Sequence, residues 1–442
     1  MIFRQVRALR ASQLARNAGW IFAGQGLSFA TQGLYFVVLA RLLGSHEYGV
    51  LAGATALVAV LSQFSPMGSG LILMRYVSPD HSLFREFWGN ALLSIALFGS
   101  LLVLGLFVAA RWMIGAEGAT IIVVLAISDC LFAQLTSISG QVFQTFEAMR
   151  VTATLNLITN LFRLVLAVCL LTVFHRVSAW QWATASLGIS AVAVSIAVLT
   201  VTIRFGRPLF KPRMLFVRAR EGFLFAISGT TTSIYNDVDK VMLGHYGMVT
   251  ENGIYTMAYR VVNIAPMPIM AIQSAALPRF FRNGINGITA NTPLVEKILK
   301  RTLLLGIVSA VAMYVSAPLI PHLVGKDFTA SVSALRWLCV IPIFRSLHVG
   351  AGDAISGAGY QRFRFASQLA AASFNFFMNL YLIPKYSWRG AALSSLLTDA
   401  MLALTNWSLL IWLKRTEAAR SVRNGNSTAA QGVIERSMGN DR

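Results

Sequence analysis

The sequence predicts an all-α integral membrane protein of about twelve transmembrane helices, set out as two six-helix bundles related as parallel repeats. Three observations predict it. Of 442 residues, 56% are hydrophobic and only 12% charged, about half the charged share of an ordinary soluble domain. Apolar runs of about 20 residues, long enough to cross a bilayer, recur along the whole chain. Segments of the first half also return, in order, in the second. The mean hydropathy of +0.64 agrees with the first two points.

The runs lie at roughly 18–41, 49–74, 88–110, 119–146, 152–174, 180–203, 222–246, 253–278, 302–324, 331–357, 363–384 and 388–413. Indole prefers the membrane interface. Trp20, Trp88, Trp112, Trp180, Trp182, Trp337, Trp388 and Trp412 fall near the ends of these runs, and Trp407 falls well inside one. The start, MIFRQVRALRASQLARNAGW, is basic and leads into an apolar run without an AxA-type cleavage site. It reads as a cytoplasmic segment and not as a cleaved signal.

Charge then orients the runs. The net charge is +20. In a soluble protein that would suggest nucleic acid, but basic-aromatic stripes and nucleic-acid motifs are absent from the sequence, so no nucleic-acid partner is expected. Alternate loops and the two ends hold 26 Lys and Arg residues; the opposite loops hold 7. Basic residues stay on the cytoplasmic side, so both termini are expected there. The outward loops are all short, which leaves no room for an outer catalytic domain. Cys130, Cys169 and Cys339 are each isolated in apolar sequence and read as small packing residues. The six histidines are scattered, with no HExxH pattern. No catalytic residue, metal or cofactor is expected.

The repeat is visible in detail. LLGSHEYGVLAGA (42–54) resembles MLGHYGMVTENGIYTMA (242–258), and each precedes a proline-interrupted helix, SPMGSG at 65–70 and APMP at 265–268. FQTFEAMR (143–150) stands where GAGYQRFR (357–364) stands in the second half. An even number of spans per half keeps both halves in one orientation. The expected organisation is a cytoplasmic segment 1–17, a first lobe 18–203, a basic linker 204–221, a second lobe 222–413 and a disordered cytoplasmic tail 414–442. Two such lobes could rock about a central site. Gly19, Gly24, Gly26 and Gly33 could let the first helix bend, or simply pack closely against neighbours.

An ionised side chain at mid-bilayer costs about 2.5–3.5 kcal/mol on insertion scales, so it must face protein or water. The cations so placed are Arg163, Lys240, Arg260 and Arg345; the acids are Asp129, Asp237, Asp239, Asp353 and Asp399. In IYNDVDKVMLGHYG, Asp237 and Lys240 are three apart and can pair on one helix face. Asp239 points elsewhere, with Arg260 as one candidate partner. Lys240 could instead snorkel. Arg163 and Arg345 have no acid three or four positions away. They either pair across helices, for example Arg163 with Asp129, or line a wet cavity that attracts an anion, phosphate above all. Asp353 and Asp399 could hold a coupling ion or serve as structural pairs.

The pattern LARLLGSHEYGVLAGA (39–54), the segment DKVMLGHYG with NGIYTMAYR (239–260) and NLYLIPKYSWRGAALSS (379–395) together resemble the polysaccharide transport family. These are O-antigen flippase-like exporters of the superfamily that includes the multidrug and toxin extruders. The resemblance runs from about residue 14 to residue 413. It implies a MATE-like, two-lobed fold in the bacterial inner membrane. It implies a lipid-linked oligosaccharide substrate, with a polyprenyl diphosphate passing between the lobes, and other glycan-assembly membrane proteins as possible partners. A cationic cavity fits Arg163, Arg260 and Arg345, while Gln141, Gln144, Asn156, Asn160, Asn375 and Asn379 could meet sugar hydroxyls. Two alternatives stand beside it. A multidrug or organic-cation antiporter would favour an acidic cavity, but span 18–41 has no Asp or Glu. A membrane polymerase or ligase would need a large outer loop or a carboxylate pair near a membrane face.

Overall fold

The computed structural model describes the backbone of residues 2–113, 115–146 and 148–439, and side-chain surroundings for most of 30–110, 120–146, 151–218, 221–273 and 276–419. Readings that concern the side chains of the basic start, Trp20, Trp112, Arg150, Arg220 and the tail beyond 419 lie outside the described residues.

The described residues are helical, and the twelve expected spans lie on helices, with breaks at 63–68 inside the second and at 265–266 inside the eighth. In chain order the helices are α1 (Ile2–Ser62), α2 (Ser69–Val77), α3 (Phe84–Ser94), α4 (Ser100–Met113), α5 (Gly115–Ala126), α6 (Gln134–Thr145), α7 (Met149–Phe174), α8 (Ala179–Phe205) and α9 (Pro212–Val217). The second half continues with α10 (Ala219–His245), α11 (Val249–Ile264), α12 (Met267–Gly284), α13 (Thr292–Ser316), α14 (Ile320–Val324), α15 (Ser331–Leu338), α16 (Ile341–Gly357), α17 (Gln361–Tyr386) and α18 (Trp388–Gly439). Among the described residues, seven helical runs are long and apolar enough to cross a membrane outright: 81–110, 120–145, 154–174, 179–205, 289–324, 331–357 and 388–419.

Local chemistry sets the breaks. α1 contains two helices that meet at Gly44, whose φ of 72° lies in the left-handed region that a side chain would resist. The SPMG stretch interrupts the second span between α1 and α2, and Gly68 enters α2 in the left-handed conformation. The matching break in the second half falls at Ala265 and Pro266, between α11 and α12. Proline also opens α13, α14 and α16 within the first two positions, where its missing N–H costs nothing. Ser178 opens α8 with a capping box: its Oγ accepts from the Gln181 N–H at 3.3 Å, and the Gln181 side chain accepts from the Ser178 N–H at 3.0 Å. Wide π turns join α3 to α4 at Ile95–Gly99 and α5 to α6 at Ile127–Ala133.

By packing, the chain divides into two compact units. The first comprises Met1–Ala258, Pro318–Ala334 and Asn379–Gly390; the second comprises Tyr259–Ala317, Leu335–Met378 and Ala391–Arg442.

In the first unit the core gathers Trp88, Ile95, Ile138, Val142, Phe143 and Val201. Phe146 stacks on Phe205 at 4.2 Å. Trp88 is 0% exposed and Trp182 2%, so these two indoles are packing residues, whereas Trp180 and Trp337 are exposed as interfacial residues would be. The basic segment 204–218 is bolted to α2 and α3. The Leu209 N–H donates to the Arg85 carbonyl at 2.8 Å, Arg85 Nε donates to the Arg207 carbonyl at 3.1 Å, and Arg218 lies 3.9 Å over the Tyr76 ring.

The two halves of the sequence repeat meet inside this unit. A Cβ on Gly49 would collide with the Val249 carbonyl, and one on Gly253 with the Ser45 carbonyl. Asn252 seals the seam, donating to the Gly49 carbonyl at 3.2 Å and the Lys240 carbonyl at 3.0 Å. The glycines that mark the motif in both repeats are therefore the points where the two backbones touch.

The second unit packs Phe280, Ile288, Val295, Ala351, Ile355 and Leu410 in its core. Gly284 and Gly357 let α12 and α16 approach, since a Cβ on either would strike the other helix's backbone.

Candidate functional site

The membrane charges are the residues from which a site can be built, and the structure sorts them. Lys240 is on α10, 7% exposed. Its Nζ is 2.7 Å from Asp237 Oδ1 and 3.7 Å from Asp239 Oδ1. It also donates to the Asn236 carbonyl. Asp239 is 1% exposed; it accepts from the Lys240 N–H at 2.8 Å and from the Tyr255 hydroxyl on α11. The helical spacing accounts for the Asp237–Lys240 pair. Tyr255 was invisible to it, because that contact forms only when α11 folds back on α10. The group is a closed polar knot with its positive charge matched.

Arg163 is different. It is half-buried on α7. Leu161, Phe162 and Val165 are exposed, while Ala167, one turn on, is fully buried, so the guanidinium lies on the inward side of an otherwise outward-facing stretch. Nη2 donates to Ser190 Oγ on α8 at 3.2 Å, and Ser128 donates to the same oxygen at 3.3 Å. Arg163 Nε is buried and makes no hydrogen bond. Asp129, on the π turn between α5 and α6, feels the arginine's charge. Among the described residues, however, no carboxylate comes within 4.0 Å of Arg163. π turns often mark functional positions in membrane helices, and this one presents Asp129 beside Arg163.

In the second unit, Arg345 on α16 donates from Nη1 to Asn263 Oδ1 at 3.0 Å and from Nη2 to the Tyr259 hydroxyl at 3.4 Å. Both partners lie on α11, as does half-buried Arg260. The unit thus places Arg345 on α16 against α11, the helix that also carries Arg260. The acids here have basic neighbours. Asp353 accepts from Arg364 Nη1 at 2.8 Å, although the charge pattern places Arg364 in a loop. Asp399, 0% exposed, lies 3.3 Å from His348 Nε2.

Of the amides suggested for sugars, Asn375 and Asn379 are buried, and Asn375 already donates to Ser394 and Thr398 at 3.3 and 3.1 Å. Asn160 is half-buried on α7, and Asn156 and Gln144 are exposed. Sequence reasoning missed Ser190, Tyr255, Tyr259, Asn263 and His348, all of which act through contacts between helices. Among the described residues no group of three or more His, Cys, Asp or Glu could hold a metal ion.

Comparison with known proteins places this arrangement. Comparison with curated proteins by sequence gives no match. Among solved structures, the fold matches an inward-facing multidrug resistance MATE transporter of the MOP superfamily at a TM-score of 0.69 and 13% identity, covering 87% of this chain and 96% of the other. It matches the lipid II flippase MurJ, in an inward closed conformation, at 0.72 and 15%, covering 88% and 86%. It also matches a MOP superfamily transporter from Pyrococcus furiosus Vc1, described as having a binding pocket of reversed polarity, at 0.59 and 13%, covering 89% and 95%. At these identities the likeness is one of fold: a multi-pass, all-helical membrane protein of MATE type. The family model for polysaccharide biosynthesis proteins matches residues 14–283, more than half of the sequence. The chain therefore belongs to the polysaccharide biosynthesis protein family.

Proposed function

We propose that this protein is a flippase that carries a polyprenyl-diphosphate-linked oligosaccharide, an O-antigen or exopolysaccharide unit, from the cytoplasmic to the outer leaflet of the bacterial inner membrane. Both termini are cytoplasmic. The lobes 18–203 and 222–413, joined by the linker 204–221, alternate access to a central path. Arg163, Arg260 and Arg345 bind the diphosphate; the lipid tail stays in the bilayer while the head group crosses. Family membership and the shared fold with a lipid II flippase support the reading.

The observation that carries it is Arg163. A guanidinium in an apolar helix is retained against a cost of a few kcal/mol. This one has no carboxylate within 4.0 Å among the described residues and an unused buried Nε. Such a group suits a phosphate, which accepts two parallel N–H bonds from arginine. Lys240 is spent on Asp237 and is not assigned to substrate.

The test is replacement of Arg163 by Gln in a strain that depends on this gene for its surface glycan. The expected result is accumulation of lipid-linked oligosaccharide on the inner leaflet, at normal protein level. Normal flipping in that variant overturns the assignment of Arg163. Normal flipping with faulty sugar polymerisation in a gene deletion overturns the flippase reading itself.

A further inference from the structure

The segment 203–213 leaves the end of α8 with basic and apolar side chains interleaved. Arg204, Arg207, Lys211 and Arg213 are exposed, and so are Leu209 and Phe210. This is not a loose loop. The Leu209 N–H donates to the Arg85 carbonyl at 2.8 Å, and a Cβ on Gly89 would strike the Leu209 carbonyl. The Lys211 N–H donates to Asn90 Oδ1 at 3.3 Å, and the Lys211 ammonium pairs with Glu86. With its backbone fixed against α3, the segment holds Leu209 and Phe210 outward, 42% and 56% exposed.

The geometry of α8 sets the depth of this segment. The helix has 27 residues, a length of about 40 Å, whereas the hydrocarbon layer of a bilayer is about 30 Å thick. Val192, Ile196, Leu199 and Ile203 are all exposed. Their spacing puts them on one face, an apolar stripe turned to the lipid. The stripe ends at Ile203, and Arg204 follows it directly. The arginines therefore come where hydrocarbon gives way to phosphate headgroups.

Charge balance says what they meet there. Lys211 is matched by Glu86. Among the described residues, no carboxylate lies within 4.0 Å of Arg85, Arg204 or Arg207. All three crowd the turn at Gly206. A Cβ on that glycine would sit 3.6 Å from Arg85 Cγ, and Arg85 Nε donates to the Arg207 carbonyl at 3.1 Å. Like charges held together without a counter-ion attract an anion, and a guanidinium grips phosphate with two parallel N–H bonds. Leu209 and Phe210 decide which phosphate. Water or a free phosphate ion would leave both side chains exposed, whereas the acyl chains of a phospholipid bury them.

We infer that Arg85, Arg204 and Arg207 form a binding site for the phosphate headgroup of an anionic phospholipid, with Leu209 and Phe210 set among its acyl chains. The site rests on the multi-pass membrane fold and not on the identity of the transported molecule. It fastens the segment to the bilayer on one side as α3 fastens it on the other.

Photocrosslinking at position 210 tests the occupant. The full-length protein carries benzoylphenylalanine in place of Phe210 and is reconstituted in phosphatidylcholine nanodiscs with a minor share of phosphatidylglycerol. Adducts are identified by mass spectrometry after irradiation. Phosphatidylglycerol adducts should exceed that lipid's share of the bilayer by about five-fold or more, the factor expected of even one basic residue near an anionic surface. High salt should lower the excess. Arg204→Gln/Arg207→Gln leaves the Arg85 bond to the backbone in place and should remove most of the excess. Adding Arg85→Gln should remove the rest. Lys297→Gln/Lys300→Gln/Arg301→Gln, which takes three exposed charges from α13, should leave it unchanged. Adducts in proportion to the bilayer composition, an excess that survives Arg204→Gln/Arg207→Gln, or the absence of any lipid adduct overturns the proposal. So does a protein adduct in place of lipid when the same crosslink is made in cells.

Discussion

Lys240 and Arg163 are both single cations within apolar helices, and the structure treats them in opposite ways. Lys240 has two carboxylates within 4.0 Å and a backbone carbonyl, in a knot that Tyr255 completes. Arg163 has two serines nearby, one acid beyond ion-pair distance and a buried N–H left over. Lys240 lies near the end of α10 and finds its acids on its own helix, whereas Arg163 lies in the middle of α7 and meets only serines from its neighbours. A matched cation holds helices together. An unmatched one is held at a cost that a ligand can repay, and this separates the structural charge from the candidate binding charge.

The comparison breaks most readily at Lys240. Replacing it by Met leaves Asp239 buried without its cation, and losing one partner of a buried pair typically costs about 3–5 kcal/mol. A lowered thermal midpoint in detergent measures it. The paired change Asp239→Asn/Lys240→Met, which removes the stranded charge, should recover part of that loss; equal loss in both would show that the pair is not the source.

Arg163→Gln should do the reverse, leaving stability near wild type and removing glycan transport. A charge-assisted hydrogen bond is worth about 1.5–3 kcal/mol, so the transport rate should drop by about ten-fold or more. Arg163→Lys, which keeps the charge but not the two-pronged geometry, should recover only part of it. If Arg163→Gln instead lowers the thermal midpoint as much as Lys240→Met does, the contrast between the two cations disappears.

A smaller effect is expected where the two repeats touch. Gly253→Ala puts a methyl against the Ser45 carbonyl; overpacking of this kind costs about 1–3 kcal/mol. The thermal midpoint should fall less than in Lys240→Met. Gly105→Ala, where a Cβ meets open space, serves as the control and should be neutral.

The smallest effect belongs to Asp80, outside the membrane. Ser82 donates to its Oδ1 from the hydroxyl at 2.6 Å and from the backbone N–H at 3.0 Å. The Ser82 hydroxyl bond, then the Ser82 N–H and the nearby His81, hold its carboxyl below the usual aspartate range. The folded value lies under the unfolded one. The stabilisation is therefore complete above about pH 3.9 and is lost as pH falls through the folded value. Amide exchange in residues 78–84 should be faster in Asp80→Asn than in wild type at neutral pH, with the gap closing in acid.

Several of these features could be read from the chain alone. The spans were legible because a bilayer demands length and apolarity from each segment by itself. The Gly49 and Gly253 motifs were legible as a repeat, though not as one another's contact. The Asp237–Lys240 pair was legible because helical spacing brings residues three apart together. The pairing of Arg364 with Asp353 was not, because the charge pattern counts Arg364 as a loop cation. Trp88 also escaped: position near a span end suggests the interface, but the aromatic core around Phe143 and Phe205 buries it.

The sequence by itself determined that this is a helical membrane protein with charges inside its spans, since hydropathy and depth belong to each segment locally. Only the tertiary structure decided which charges are matched. Ser190 is 27 residues from Arg163, Tyr255 is 16 from Asp239, and Asp399 and His348 stand on separate helices. These contacts arrive through space, from helices whose own sequences carry no sign of the pairing.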